Sequence, residues 1–135
     1  MEFDGSNTLV MEVDADYVFD GDVINTILDE SCIYYGSSLN GRMNGARSIL
    51  GSVYKTPVMV EETNNLIFFP TTAIENEKNV WIGSNNILNY EKKGKNTVVE
   101  WKNNKKTEFN MPILSIETQL LRVNKLITIT KQRKN

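Results

Sequence analysis

The stretch ILNYEKKGKNTVVEWKNNKKTEFNM, residues 87–111, reads as three β-prone runs broken by turn residues. The runs are Ile87–Glu91, Thr97–Trp101 and Lys106–Met111, and the breaks are Lys92-Lys93-Gly94-Lys95-Asn96 and Asn103-Asn104. Within the runs Leu88/Tyr90, Val99/Trp101 and Phe109/Met111 recur with a period of two. Side chains alternate across a strand, so this spacing predicts an antiparallel meander with one apolar face. An apolar sheet face must be covered, and the flanking sequence supplies the cover.

On the C-terminal side Pro112 ends the sheet, and Ser115 is placed to cap a last helix with Glu117 in its first turn and Arg122 and Lys125 near its end. Ile113, Ile116, Leu120, Val123 and Ile127 repeat every three or four residues and predict a packed stripe. Residues 131–135 are polar and read as a frayed tail. On the N-terminal side Tyr54–Val60 and Leu66–Phe69 flank a hairpin loop, Glu61–Asn65, and Val80–Ile82 is a further strand.

Residues 36–51, GSSLNGRMNGARSILG, predict a helix capped by Ser37 or Ser38 and ended by Gly51, with Leu39, Met43, Ala46 and Leu50 on one face. Gly41 and Gly45 lie one turn apart and leave a bare stripe where another backbone can approach. Before this helix, Leu9–Val13 reads as a half-buried strand. Asp20 or Asp22 can cap a short helix carrying Val23, Ile24, Ile27 and Leu28, and Cys32–Tyr35 reads as a short β run ending at Gly36. The fold class is therefore α+β: a single domain over 1–135, mainly antiparallel sheet and meander, with two to three helices.

Composition removes whole classes of function. The 135 residues include no histidine and one cysteine, Cys32. Ser-His-Asp and Cys-His nucleophile systems need an imidazole, and zinc sites are built from Cys and His, so neither an enzyme, a metal nor a cofactor is expected. The longest clean apolar run is Leu66–Phe69, and the N-terminus lacks the pattern of a signal peptide; a cytoplasmic, non-membrane protein is expected.

The formal net charge of −2 averages two opposite blocks. Residues 1–30 hold nine acids and no Lys or Arg, leaving eight acids against all 15 basic side chains, a balance of +7, in the remainder. The organisation is thus an acidic segment (1–30), a basic body (31–130) and the polar tail (131–135). Such asymmetry points to a nucleic-acid face, or to two surfaces that attract one another. Lys92, Lys93 and Lys95 occupy one turn of the meander and Lys102, Lys105 and Lys106 the other, so they sit at opposite ends of the middle strand and suit phosphates flanking a groove. Lysines in turns also serve solubility and edge protection. Ser37 and Ser38, at a helix start near Arg42, suit a phosphate oxygen, although the stretch lacks the ending of a nucleotide-binding loop. Arg42 and Arg47 suit a narrow minor groove, and an ion pair with the acidic block is their competing use. The tryptophans and most tyrosines, at strand positions, are expected in the core.

The segments SCIYYGSSLNGRMNGARSI, YKTPVMV, NLIFFPTT, the Trp of VWI, the meander and MPILSIETQLLRVNKL together resemble, in order over residues 23–127, the bacterial competence transcription factors of the ComK family. The most specific piece is Ser31-Cys32 followed by Gly36-Ser37-Ser38 and Gly41-Arg42. The resemblance implies a DNA-binding activator of DNA-uptake genes that binds paired A/T-rich boxes in double-stranded DNA through the minor groove. It also implies homodimers that associate further, with RNA polymerase as a further partner. Family members extend further at the N-terminus, and many carry a C-terminal tail read by a proteolytic adaptor. This chain ends soon after Thr130, leaving escape from that control, a trimmed chain and a divergent member as readings. The alternative function is a protein-interaction module that pairs with a full-length activator through the Leu120–Ile127 stripe or a sheet edge, its acidic block masking the basic face.

Overall fold

The computed structural model describes residues 1–3, 7–11, 16–20, 23–51, 53, 55–71 and 79–134. In chain order the elements are β1 (Glu2–Phe3), β2 (Asn7–Met11), β3 (Asp16–Asp20), α1 (Ile24–Tyr34), α2 (Leu39–Leu50), β4 (Val58–Glu61), β5 (Leu66–Pro70), β6 (Asn79–Gly83), a 3-10 turn (Ser84–Asn86), β7 (Ile87–Lys93), β8 (Asn96–Trp101), β9 (Lys106–Phe109) and α3 (Ile113–Arg133). One sheet runs β3-β2-β1-β6-β5-β4 and the other β7-β8-β9, with every pairing antiparallel. The fold is α+β.

The meander forms as its turn chemistry dictates. Lys93 pairs with Asn96 around a two-residue turn, Gly94-Lys95, and Gly94 takes the positive φ of +60° that such a turn requires. Lys92 and Lys93 are therefore strand residues rather than loop. A register shift between Ile87 and Asn89 leaves Leu88 as the extra residue of a bulge. Ile87 then packs on the core and Leu88 is exposed, which corrects the expected Leu88/Tyr90 face.

The remaining apolar positions close the core as their alternation requires. Val99, Phe109 and Met111 of the meander side are buried with Ile116, Val123 and Leu126 of α3, Ile67 and Phe69 of β5, Met59, Ile82 and Ala46. Thr97, also buried, donates its hydroxyl to the carbonyl of Met111 at 2.9 Å. Strand β4 is buried on both faces, because Val58 and Val60 turn the other way, onto Ile24, Leu28 and Cys32 of α1 and Trp81 of β6. Helix α2 joins the two clusters: Ala46 packs in the first, Leu39 and Met43 against the second.

The helices correct several expectations. The run Cys32–Tyr34 is helix, not strand, because Ile24, Leu28 and Cys32 recur every four residues and are buried; that stripe outweighs a weak β propensity. Burial also pushes the Cys32 thiol pKa up. Val23 caps α1 without a side-chain bond, Asp20 ends β3, and Asp22, like Val13 and Tyr54, lies outside the described residues. Helix α3 starts directly after Pro112, two residues before Ser115, and continues to Arg133, so most of the expected frayed tail is its last turn. Its buried face is Ile116, Gln119, Val123 and Leu126, rotated from the expected stripe. Gln119 is held there by donating its amide to the carbonyls of Lys55 (3.0 Å) and Pro70 (2.7 Å). No described helix is long and apolar enough to cross a membrane.

Candidate nucleic-acid interface

Helix α2 is set at both ends by its own sequence. Ser38 is extended and its Oγ accepts from Gly41 N at 3.0 Å. Gly51, at φ +79°, donates its N–H to the Arg47 carbonyl at 2.8 Å. Ser38→Ala should cost about 1 kcal/mol of stability, the usual value of an N-cap hydroxyl, read as a lower denaturant midpoint at unchanged slope. Two neighbouring donors are also engaged: Leu39 N–H reaches Asp29 Oδ1 at 2.9 Å and Arg42 N–H reaches the Ser38 carbonyl at 2.9 Å.

The two arginines of α2 have different surroundings. Arg47 is exposed and forms no ion pair among the described residues. Arg42 is partly buried and donates from Nη1 to Glu62 Oε1 at 3.0 Å. Glu62 lies in the turn between β4 and β5, so the ion pair weighed against the acidic N-terminal block is made instead with this hairpin. Glu62 Oε2 also accepts from Lys134 Nζ. Arg133 donates from Nη1 to Ser48 Oγ at 2.9 Å. The end of α3 is thereby docked on α2 beside a groove of about 310 Å³, lined among others by Ser37, Gly41, Arg42, Gly45, Arg133 and Lys134. Arg133 and Lys134, read from sequence as part of a frayed polar tail, are additions to the site. Thr130, which lines the groove and continues the α3 periodicity, was the available signal.

The meander supplies a separate basic region. Lys92, Lys93, Lys95, Lys102, Lys105 and Lys106 are all exposed. Lys93 bonds Glu108 Oε1 at 2.9 Å, while Asn96 donates to Glu108 Oε2 at 2.7 Å. The Asn96 amide and then the Lys93 ammonium hold the Glu108 carboxyl below the usual glutamate range. The register places the two lysine groups at opposite ends of β8, whose six residues span about 17 Å. The strand aromatics face inward: Tyr90 and Trp101 pack on the core, and Trp101 Nε1 donates to Thr107 Oγ1 at 2.8 Å.

The exposed aromatics lie elsewhere. Tyr17 and Phe19 of β3, and Tyr34 and Tyr35 at the end of α1, are solvent-facing, with Tyr34 82% exposed. These tyrosines were expected in the core. Tyr34 falls off the Ile24/Leu28/Cys32 stripe, which is the sequence signal for its exposure.

The chain is similar in sequence to a known protein. The competence transcription factor of Bacillus subtilis (strain 168) is 30% identical over 108 residues, 79% of this chain and 56% of that protein. The chain thus spans about half the length of the curated relative it matches. No solved structure matches. The family model described as ComK protein matches residues 2–135, and on that match, which takes in β1 through α3, the chain belongs to the ComK family.

Proposed function

We propose that this chain is a DNA-binding transcriptional activator of competence genes that recognises A/T-rich boxes through the minor groove. The observation that carries the reading is Arg47, an exposed guanidinium without an ion partner among the described residues, on the helix that also borders the Arg42/Arg133/Lys134 groove. A narrow A/T minor groove concentrates negative potential and attracts such a side chain, and the lysines at both ends of β8 suit the flanking phosphates. In this reading the protein is cytoplasmic, non-enzymatic and cofactor-free, acts as a homodimer or higher homo-oligomer, and meets RNA polymerase at the promoter. The relative's description as a competence transcription factor supports the regulatory class.

Titration against A/T-rich and G/C-rich duplexes of equal length at several salt concentrations tests the proposal. Tighter A/T binding with a negative slope of log K against log salt supports it, and equal affinity for both duplexes contradicts it.

A second reading, a protein-interaction module, is favoured by Tyr17, Val18 and Phe19 exposed on the edge strand β3 and by Ile33, Tyr34 and Tyr35 at the end of α1. The Leu120–Ile127 stripe does not serve it, because Val123 is buried in the core and Leu120 and Ile127 pack, partly buried, against it. A chain that binds neither duplex at low salt fits this second reading.

A further inference from the structure

Glu62 is gripped by cations from two helices. Its Oε1 accepts from Arg42 of α2 and its Oε2 from Lys134 at the end of α3, with Arg133 lining the same groove. Among the described residues, three cations against one carboxylate leave a surplus of two positive charges. A carboxylate bridging two donors through its two oxygens presents the same contact that a phosphodiester presents through its two non-bridging oxygens. We infer that the α2–α3 groove is a phosphate site that the chain's own Glu62 fills until a nucleic-acid phosphate displaces it; this deepens the DNA-binding proposal and rests on it.

Three features make the exchange feasible. The hairpin turn is held by Glu61, whose carboxylate accepts from the N–H groups of Thr63 (2.6 Å) and Asn64 (2.9 Å), so the Glu62 side chain can leave without undoing the turn. The groove has room, since a Cβ added at Gly45 would meet nothing within 4 Å. Arg42 Nε is buried without an acceptor, and an incoming phosphate brings more oxygens than the carboxylate it replaces.

The test compares Glu62→Gln with the wild type on one A/T-rich duplex. Removing the internal competitor should tighten binding about three- to tenfold at about 0.1 M salt and steepen the salt slope by about 0.9 for each additional phosphate neutralised. Glu62→Asp, whose shorter reach weakens the grip, should show a smaller gain in the same direction. The gain should vanish when Arg42→Ala and Lys134→Ala are added. Glu117→Gln, which removes the same charge from the exposed start of α3, should give no comparable gain. A Glu62→Gln affinity and slope equal to wild type, a gain matched by Glu117→Gln, or a gain that survives loss of Arg42 and Lys134 would each overturn the inference while leaving DNA binding intact. Tripolyphosphate separates the two ideas. If no variant binds DNA but tripolyphosphate raises the melting temperature of Glu62→Gln more than that of the wild type, the phosphate site stands and the DNA reading fails. Equal shifts remove both.

Discussion

Phe69→Ala should destabilise the protein by about 3–5 kcal/mol, the range for truncating a fully buried aromatic. Phe69 is completely inaccessible, sits opposite Ile82 in the register of β5 with β6, and belongs to the cluster shared by the meander, α3 and the inner strands. Its removal opens a cavity where both sheets and α3 converge. Against a typical domain stability of about 5–15 kcal/mol, this is a loss large enough to lower the denaturant midpoint sharply at constant slope. Leu88→Ala is the matched contrast. Leu88 is 55% exposed on the β7 bulge, so its truncation should stay within about 0.5 kcal/mol. Similar costs at the two positions would mean that the face of the meander is assigned wrongly.

The second large effect concerns DNA. Arg47→Ala should weaken A/T-rich binding by about 1–3 kcal/mol and narrow the gap to G/C-rich DNA, because it removes the side chain assigned to the groove. Replacing Lys92, Lys95 and Lys102 together by alanine should weaken both duplexes alike and lower the salt slope by up to about 2.7, about 0.9 for each phosphate that is no longer neutralised. Arg42, expected from sequence to share the groove-reading role, is bonded to Glu62, so Arg42→Ala should affect both duplexes similarly. A selective A/T loss from the lysine variant, or none from Arg47→Ala, would reverse these assignments.

Where local chemistry decides the structure, the residues announced it. A chain reversal around Gly94 (though not its two-residue length), Ser38 and Gly51 at the ends of α2, and the alternation of Val99 with Trp101 are each readable over a few positions. The misreadings arise where tertiary packing overrides such signals. Cys32–Tyr34 carries β-prone residues, yet the buried four-residue spacing back to Ile24 makes it helical. Residues 131–133 look like a loose polar tail until the docking of Arg133 on Ser48, 85 positions away, holds them in α3. The same limit applies to the site. Arg42 and Arg47 were visible as a pair on one helix, but what separates them is Glu62, 20 positions from one partner and 72 from the other. No periodicity encodes such a contact.

Replacement of A·T pairs by inosine·cytosine in an otherwise identical duplex tests minor-groove recognition most directly. Inosine lacks the guanine 2-amino group, so an I·C pair offers the minor-groove acceptors of A·T while its major groove resembles G·C. The proposed mode predicts that affinity for the I·C duplex stays within a few-fold of the A·T duplex and well above G·C. An I·C affinity that falls to the G·C level would place recognition in the major groove and contradict it.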